Sequence, residues 1–305
     1  MTLLELKTTF LDDLTSLYPK EEVLSFYNLL LDYKMDLEKV AIALNPNQVI
    51  DQKNLTYFLN ALTDLQNEKP IQYIIGETEF YGLQFLVNKH VLIPRPETEE
   101  LVEWVLSHLN PPQKRRNLNI LDIGTGSGCI AISLAKKAPN ASVYALDVSK
   151  DALQIAEQNT VLNKVSVKFI EHNILNSNII QSGAKNLKFD IIVSNPPYVR
   201  HLEKQEMTAN VLQNEPHLAL FVENDNPLLF YDKIADFAKE NLTKNGKLYF
   251  EINQYLGKET IALLRQKGFT NIELKKDLFG NDRMIRADLI RKQPLKPLDF
   301  LNKKD

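Results

Sequence analysis

Between residues 119 and 291, short apolar stretches of strand length alternate with amphipathic helical stretches, and this alternation constrains the fold more than any other feature of the chain. Strands are expected at Asn119–Ile123, Ser142–Asp147, 166–171, Phe189–Ser194, 247–252, 271–277 and 284–291. Helices at 151–163, 227–241 and 256–267 fall between them, and Gly268 stops the last one. A crossover helix returns the chain so that the next strand runs parallel to the last. The expected fold is therefore α/β, with a mostly parallel, Rossmann-like sheet covered by helices on both faces. Only Gly280-Asn281 and their neighbours separate the final two strands, which predicts an antiparallel pair there.

The run Ile120-Leu121-Asp122-Ile123-Gly124-Thr125-Gly126-Ser127-Gly128-Cys129 reads as a strand, a glycine-rich turn and a helix start. Glycines at such a turn let the backbone approach a ligand with no Cβ in the way. Dinucleotide enzymes place G-x-G-x-x-G at the same point, but the spacing here is G-x-G-x-G, and Cys129 stands where a third dinucleotide glycine or alanine would be. A pyrophosphate wants an exposed helix N-terminus. A sulfonium cofactor has no phosphate and a positive sulfur, so a nearby carboxylate such as Asp122 helps. Asp147 ends the next strand, about twenty residues after the loop, where a carboxylate grips ribose hydroxyls. Ser149 is the expected cap of the helix that follows. Asn173 and Ile174 follow the third strand, where adenine would lie, and Asn173 reads equally well as a turn asparagine. Cys129, at a helix start on the core side, is expected to be an inert buried thiol.

The stretch Phe189-Asp190-Ile191-Ile192-Val193-Ser194-Asn195-Pro196-Pro197-Tyr198 carries the chemistry. A buried strand runs directly into two prolines, which cannot continue a sheet ladder. An amide nitrogen is a poor nucleophile because its lone pair is delocalised. The side-chain oxygen of Asn195 and the carbonyl of Pro196 can accept both of its N–H hydrogens, while the prolines fix the shape of the turn. Those bonds aim the lone pair and stabilise positive charge developing on nitrogen. Tyr198 offers a flat face for a planar acceptor. The catalytic set expected here is Asn195, Pro196 and Tyr198, with Pro197 completing the substrate grip. With Asp147 and the glycine loop in the same order, this reads as an S-adenosyl-L-methionine-dependent methyltransferase acting on a planar amide or amine nitrogen. Asn195 also borders the cofactor.

The rest of the chain divides around this core. Residues 1–68 read as a small all-helical module for docking or stabilisation. Leu3, Phe10, Leu14 and Tyr18 recur at helical spacing, and Pro19 ends that segment. β-rich pieces are expected from Ile71, with a hairpin turning at Gly82, and 69–96 forms the link to a catalytic domain at 97–292. Pro111-Pro112 with Lys114-Arg115-Arg116 reads as a solvated loop, and 293–305 as a flexible tail. The net charge of -3 gives no global pull toward nucleic acid, and no histidine or cysteine spacing suggests a metal. One cysteine and the charged start (Glu5, Lys7, Asp12, Asp13) fit a cytoplasmic protein with no membrane span.

Taken together, the motifs resemble those of the bacterial peptide chain release factor N5-glutamine methyltransferases, the protein-(glutamine-N5) methyltransferase family. The resemblance rests on Pro70-Ile71-Gln72-Tyr73-Ile74-Ile75-Gly76, Phe80-Tyr81-Gly82, Ile93-Pro94-Arg95-Pro96-Glu97-Thr98-Glu99, the glycine loop, Asn195-Pro196-Pro197-Tyr198, Glu215-Pro216 and Phe279-Gly280-Asn281-Asp282-Arg283. It implies a class I methyltransferase sheet of seven strands, an N-terminal helical domain and a linking hairpin. It also implies methylation of the glutamine in the Gly-Gly-Gln motif of class 1 release factors. By position, Gly124, Thr125, Gly126, Ser127, Gly128 and Asp147 hold the cofactor, and Asn195, Pro196, Pro197 and Tyr198 hold the glutamine. Asn173-Ile174 and Asn253 depart from the family pattern, which has an acidic or Asp-aromatic pair and a glycine there. The same acceptor motif serves enzymes that methylate a ribosomal-protein glutamine, adenine N6 or guanine N2. Those last two need a basic groove or recognition domain that this composition lacks.

Overall fold

A computed structural model describes residues 1–109, 117–176, 187–207 and 209–289. The basic loop and the tail lie outside the described residues.

Four helices open the chain: α1 (Leu3–Leu14), α2 (Lys20–Met35), α3 (Lys39–Leu44) and α4 (Gln52–Gln66). Thr2 closes the first turn of α1 as a capping box, its hydroxyl accepting from the Glu5 amide at 3.2 Å while the Glu5 carboxylate accepts from the Thr2 amide at 2.8 Å. Leu6, Phe10, Tyr27, Leu30, Phe58 and Leu62 form a core of their own. The buried Tyr27 hydroxyl is satisfied by donating to the Leu3 carbonyl at 2.7 Å. Ile71–Ile75 is a short helix, α5, where β-rich pieces were expected to begin. Pro70 fixes its entry, Gly76 ends it at φ 88°, and burying Ile71 in the helical core outweighs the β preference of its isoleucines.

Strands β1 (Glu77–Phe80) and β2 (Leu83–Leu86) make the expected hairpin. It is fastened to the helices Pro96–His108 and Lys150–Asn163. Phe80 and Phe85 pack with residues of α6 (Pro96–His108), and the fully buried Asn159 bonds the Leu86 amide and carbonyl at 2.7 and 3.0 Å.

Then come β3 (Asn119–Ile123), α7 (Cys129–Lys137), β4 (Ser142–Asp147), α8 (Lys150–Asn163), β5 (Lys168–Glu171) and β6 (Phe189–Ser194). After them, β7 (Val199–Arg200), α9 (Ala209–Asn214), α10 (His217–Leu220) and β8 (Phe221–Val222) build the region beyond the acceptor motif. The chain continues through α11 (Leu229–Asn241), β9 (Leu242–Glu251), α12 (Gly257–Gln266), β10 (Thr270–Lys276) and β11 (Asp282–Asp288). The seven-stranded sheet has the order β10-β11-β9-β6-β3-β4-β5. Its strands from β9 to β5 pair in parallel, and β11 runs antiparallel to both β9 and β10. Side chains alternate between the faces. Leu121 and Ile123 join Ile234 and Leu264 of α11 and α12, whereas Ile120 and Val143 join Val105 and Ile130 of α6 and α7.

Register decides what meets at the end of the parallel strands. Ile123 pairs with Leu146 of β4 and Ser194 of β6, and Ser194 pairs with Phe250 of β9. The next residues, Asp147, Gly124, Asn195 and Glu251, therefore form one row along the carboxyl edge of the sheet, where ligands of open α/β folds bind.

Gly128 leads into α7 at φ 82°, and a Cβ there would lie 2.9 Å from Ile132 Cδ1 and 3.1 Å from Ala156 Cβ. Left-handed backbone and close packing act together at this position. Gly128→Ala should lower the unfolding free energy by about 1–3 kcal/mol. Urea denaturation with an unchanged midpoint would contradict this.

Candidate active site

The glycine loop turns its own donors inward. The amides of Gly124 and Thr125 both donate to the Leu146 carbonyl, at 2.8 and 3.1 Å, and the Gly128 amide donates to the Thr125 carbonyl at 2.8 Å. Asp147 Oδ2 accepts from the Gly126 amide at 2.8 Å and Oδ1 from the Ser149 amide at 2.9 Å. Ser149 caps α8 through the Ala152 amide at 3.2 Å, which leaves Asp147 for another task. Burial raises the Asp147 pKa, opposed by these backbone donors.

Asp122, expected beside the cofactor, is instead fully buried and absent from the cavity wall. Its Oδ2 accepts from the Thr125 hydroxyl at 2.6 Å, and the Ala131 amide also faces the carboxylate. Burial pushes its pKa to about 7. Cys129 is a free, buried thiol likewise pushed up by burial, to about 12.

In front of the loop lies a cavity that encloses, with its open mouth, about 1230 Å³. Gly124, Thr125, Gly126, Ser127, Asp147 and Asn195 line its polar side. Ile130, Leu146, Ile174 and Phe230 line an apolar side. Asn173 is also in the wall, and its Oδ1 accepts from the Leu175 amide at 2.9 Å, so it is a turn residue and a lining residue at once.

The acceptor turn meets the loop directly. Ser194 Oγ donates to the Ile123 carbonyl at 2.6 Å, and the Asn195 carbonyl lies 4.0 Å from where a Cβ on Gly124 would stand. Asn195, Pro196 and Pro197 line the cavity. Tyr198, half-buried, follows them just outside the wall. Its ring packs against the sheet's apolar core and its hydroxyl donates to Glu251 Oε1 at 3.1 Å. Burial beside the Glu251 charge raises its pKa far above the ordinary range. Asn253 explains itself here: its Nδ2 donates to the Tyr198 carbonyl at 3.0 Å and to Glu203 Oε2 at 3.0 Å, tying the acceptor turn to the segment after it.

Three groups escaped the sequence reading as site residues. Glu251, 1% exposed, accepts from the Thr98 hydroxyl at 2.7 Å, and Thr98 Oγ1 accepts from Asn195 Nδ2 at 3.2 Å. Burial raises the Glu251 pKa, while the bonds from Thr98 and Tyr198 and the nearby Arg283 charge pull against it. Buried Glu215 accepts from Arg95 at 2.5 Å and draws Pro216 to the cavity. A glutamate ending the buried run Leu248-Tyr249-Phe250 was the available signal, since carboxylates are rarely buried without a task.

The methyltransferase small domain family matches residues 102–223. The chain is similar to the release factor glutamine methyltransferase of Flavobacterium psychrophilum, 55% identical over 282 residues, 92% of this chain and 97% of that protein. The release factor glutamine methyltransferase of Bacteroides thetaiotaomicron is 42% identical over 90% of this chain and 96% of its own. The Lactococcus lactis release factor glutamine methyltransferase is 49% identical over 72% of this chain and 77% of its own.

The Asp122 carboxyl offers a pH test of this packing. Its folded pKa, about 7, lies above the ordinary 3.8, so its neutral form is stabilised. That contribution is full below 3.8 and is lost as pH rises through about 7. Asp122→Asn has no such loss. The melting temperature of the variant relative to wild type should therefore be more favourable at pH 8 than at pH 5. A difference that does not change with pH would overturn this account.

Proposed function

The chain belongs to the release factor glutamine methyltransferases, and on that premise we propose that it methylates the N5 amide nitrogen of the glutamine in the Gly-Gly-Gln motif of class 1 peptide chain release factors, using S-adenosyl-L-methionine. The observation that carries this reading is the row at the sheet edge, where a ribose-type carboxylate, a glycine loop and the acceptor asparagine converge on one cavity.

The cavity fits that cofactor better than a dinucleotide. The loop amides of Gly124, Thr125 and Gly128 already serve backbone carbonyls, and Gly126 serves Asp147, so these donors cradle no pyrophosphate. The Asp147 carboxylate in the wall suits a ribose diol. Asp147 would hold the ribose hydroxyls, Ile174 and Leu146 would flank the adenine, and Gly124, Thr125, Gly126, Ser127 and Gly128 give close backbone approach. Asp122 supports them from behind through Thr125. S-adenosyl-L-methionine supplies an electrophilic methyl group when bound.

The protein's own residues prepare the nucleophile. Asn195 Oδ1 and the Pro196 carbonyl accept the two N–H hydrogens of the glutamine amide, turning its lone pair toward the cavity. The same bonds strengthen as positive charge grows on nitrogen, and the excess proton then leaves to solvent. Pro197 shapes the turn, and Tyr198 anchors it on Glu251. The helices of residues 1–68 carry no chemistry and serve to dock the folded substrate.

Asp147→Ala should weaken cofactor binding by about 2–3 kcal/mol, the loss of charge-assisted bonds. Calorimetry with unchanged affinity would remove Asp147 from the ribose. Asn195→Ala should keep cofactor affinity and reduce kcat by about 10²–10³-fold. Mass spectrometry of a release factor incubated with enzyme and cofactor should find one added methyl group on the Gly-Gly-Gln peptide. Methylation of a ribosomal protein or nucleic acid with the release factor untouched would replace this reading.

A further inference from the structure

An asparagine that presents its oxygen to a substrate needs its amide held one way round, because the two ends of the group are nearly equal in shape and opposite in hydrogen bonding. The chain of contacts behind Asn195 has a fixed sense. Glu251 Oε2 sits 2.7 Å from Thr98 Oγ1, and a carboxylate offers only acceptors, so the single Thr98 hydroxyl hydrogen goes to Glu251. Thr98 Oγ1 can then only accept from Asn195, which must turn Nδ2 toward it at 3.2 Å. Oδ1 becomes the end turned away from Thr98. Thr98 is 2% and Glu251 1% exposed, so water does not compete for these bonds.

We infer that Glu251 and Thr98 are positioning residues that set the polarity of the Asn195 amide, so that it meets the substrate as a hydrogen-bond acceptor. This rests on the reading of Asn195 as the group that binds the glutamine amide. The arrangement draws on three separate parts of the chain. Thr98 comes from the first turn of α6, Asn195 from the end of β6 and Glu251 from the end of β9. Tyr198 reports to the same carboxylate through Oε1, so both ends of the acceptor motif take their orientation from Glu251. A flipped Asn195 would aim its N–H₂ at the substrate N–H₂ and repel it.

The test uses the full chain, a full-length release factor and S-adenosyl-L-methionine. Cofactor affinity is measured by calorimetry, and kcat and KM are measured for the release factor. Thr98→Val keeps the volume and removes the hydroxyl. It should lower kcat by about ten- to a hundred-fold with cofactor affinity unchanged. Thr98→Ser, which restores the hydroxyl, should recover most of that loss. The pair Asn195→Asp and Glu251→Gln probes direction independently of Thr98 packing. Asn195→Asp alone sets an acceptor against an acceptor and should be nearly inactive. Adding Glu251→Gln lets the new amide donate to Thr98, freeing the Thr98 hydrogen for Asp at 195, so the double variant should exceed Asn195→Asp by about tenfold or more.

If Thr98→Val turns over like wild type, or Thr98→Ser is as slow as Thr98→Val, the hydroxyl does not orient Asn195. A double variant no better than Asn195→Asp refutes the relay even if Thr98→Val fails to fold. Asn195→Ala, run in parallel, separates the two readings. Full turnover there would sink the acceptor assignment itself, whereas loss there with a normal Thr98→Val would sink only the relay.

Discussion

The register of β3 against its neighbours is the constraint on which the site depends. Because Ile123 pairs with Leu146 on one side and Ser194 on the other, the strands end together and their next residues line up. A slip of one residue in β6 would send Asn195 to the opposite face and Ser194 into its place. What holds the register is packing on both faces. Leu121, Ile123, Ile192 and Leu248 fill the core beneath α11 and α12, while Ile120, Ile191, Val193 and Tyr249 fill the opposite one, so a slip would exchange two packed sets of different shape.

Helices and loops then act on an edge already set. The glycine loop folds back on Leu146, which brings its Cα atoms to the cavity and leaves its amides engaged with the protein. The hairpin and α8 brace the loop from outside through Asn159, whose Nδ2 donates to the Ser127 carbonyl at 2.9 Å as well as to Leu86. A second set of buried polar side chains braces the acceptor turn, with Glu251, Thr98 and Asn253 each bonding to groups from other elements. Polar groups this deep are costly when unpaired, so a connected network of them is also a specification of geometry. The glycine loop and the turn at Asn195 are thus supported by different sets of bonds, joined where Ser194 Oγ donates to the Ile123 carbonyl.

Electrostatics divides the same way. Asp122, Asp147 and Glu251 all have pKa values raised by burial, yet they face different partners. Asp147 is in the cavity wall with backbone donors on both oxygens, suited to a ligand that brings more donors. Asp122 is behind the loop, bonded by the Thr125 hydroxyl. Glu251 is fully enclosed by hydroxyl donors near Arg283.

The alternation of strand and helix, the antiparallel last pair, the helical start and the hairpin were legible in residue order because each follows from local periodicity and turn chemistry. The places of Asp147 and Asn195 at the sheet edge were legible too, since each stands at the end of a recognisable buried strand. Sequence order could not say that Ile71–Ile75 would join the helical core as a helix, because that depends on a hydrophobic surface made by residues far away. It could not move Asp122 out of the cavity or turn Tyr198 onto Glu251, because which face of a strand end is covered depends on α7 and β9 packing there. Thr98 and Glu251 are separated by 153 positions and share one hydrogen bond, and only the closing of the sheet brought them together. Local sequence determines what a segment is, through the spacing of its apolar and turn-forming residues. Which polar groups meet is decided by long-range burial, whose partners are distant in the chain and adjacent only after folding.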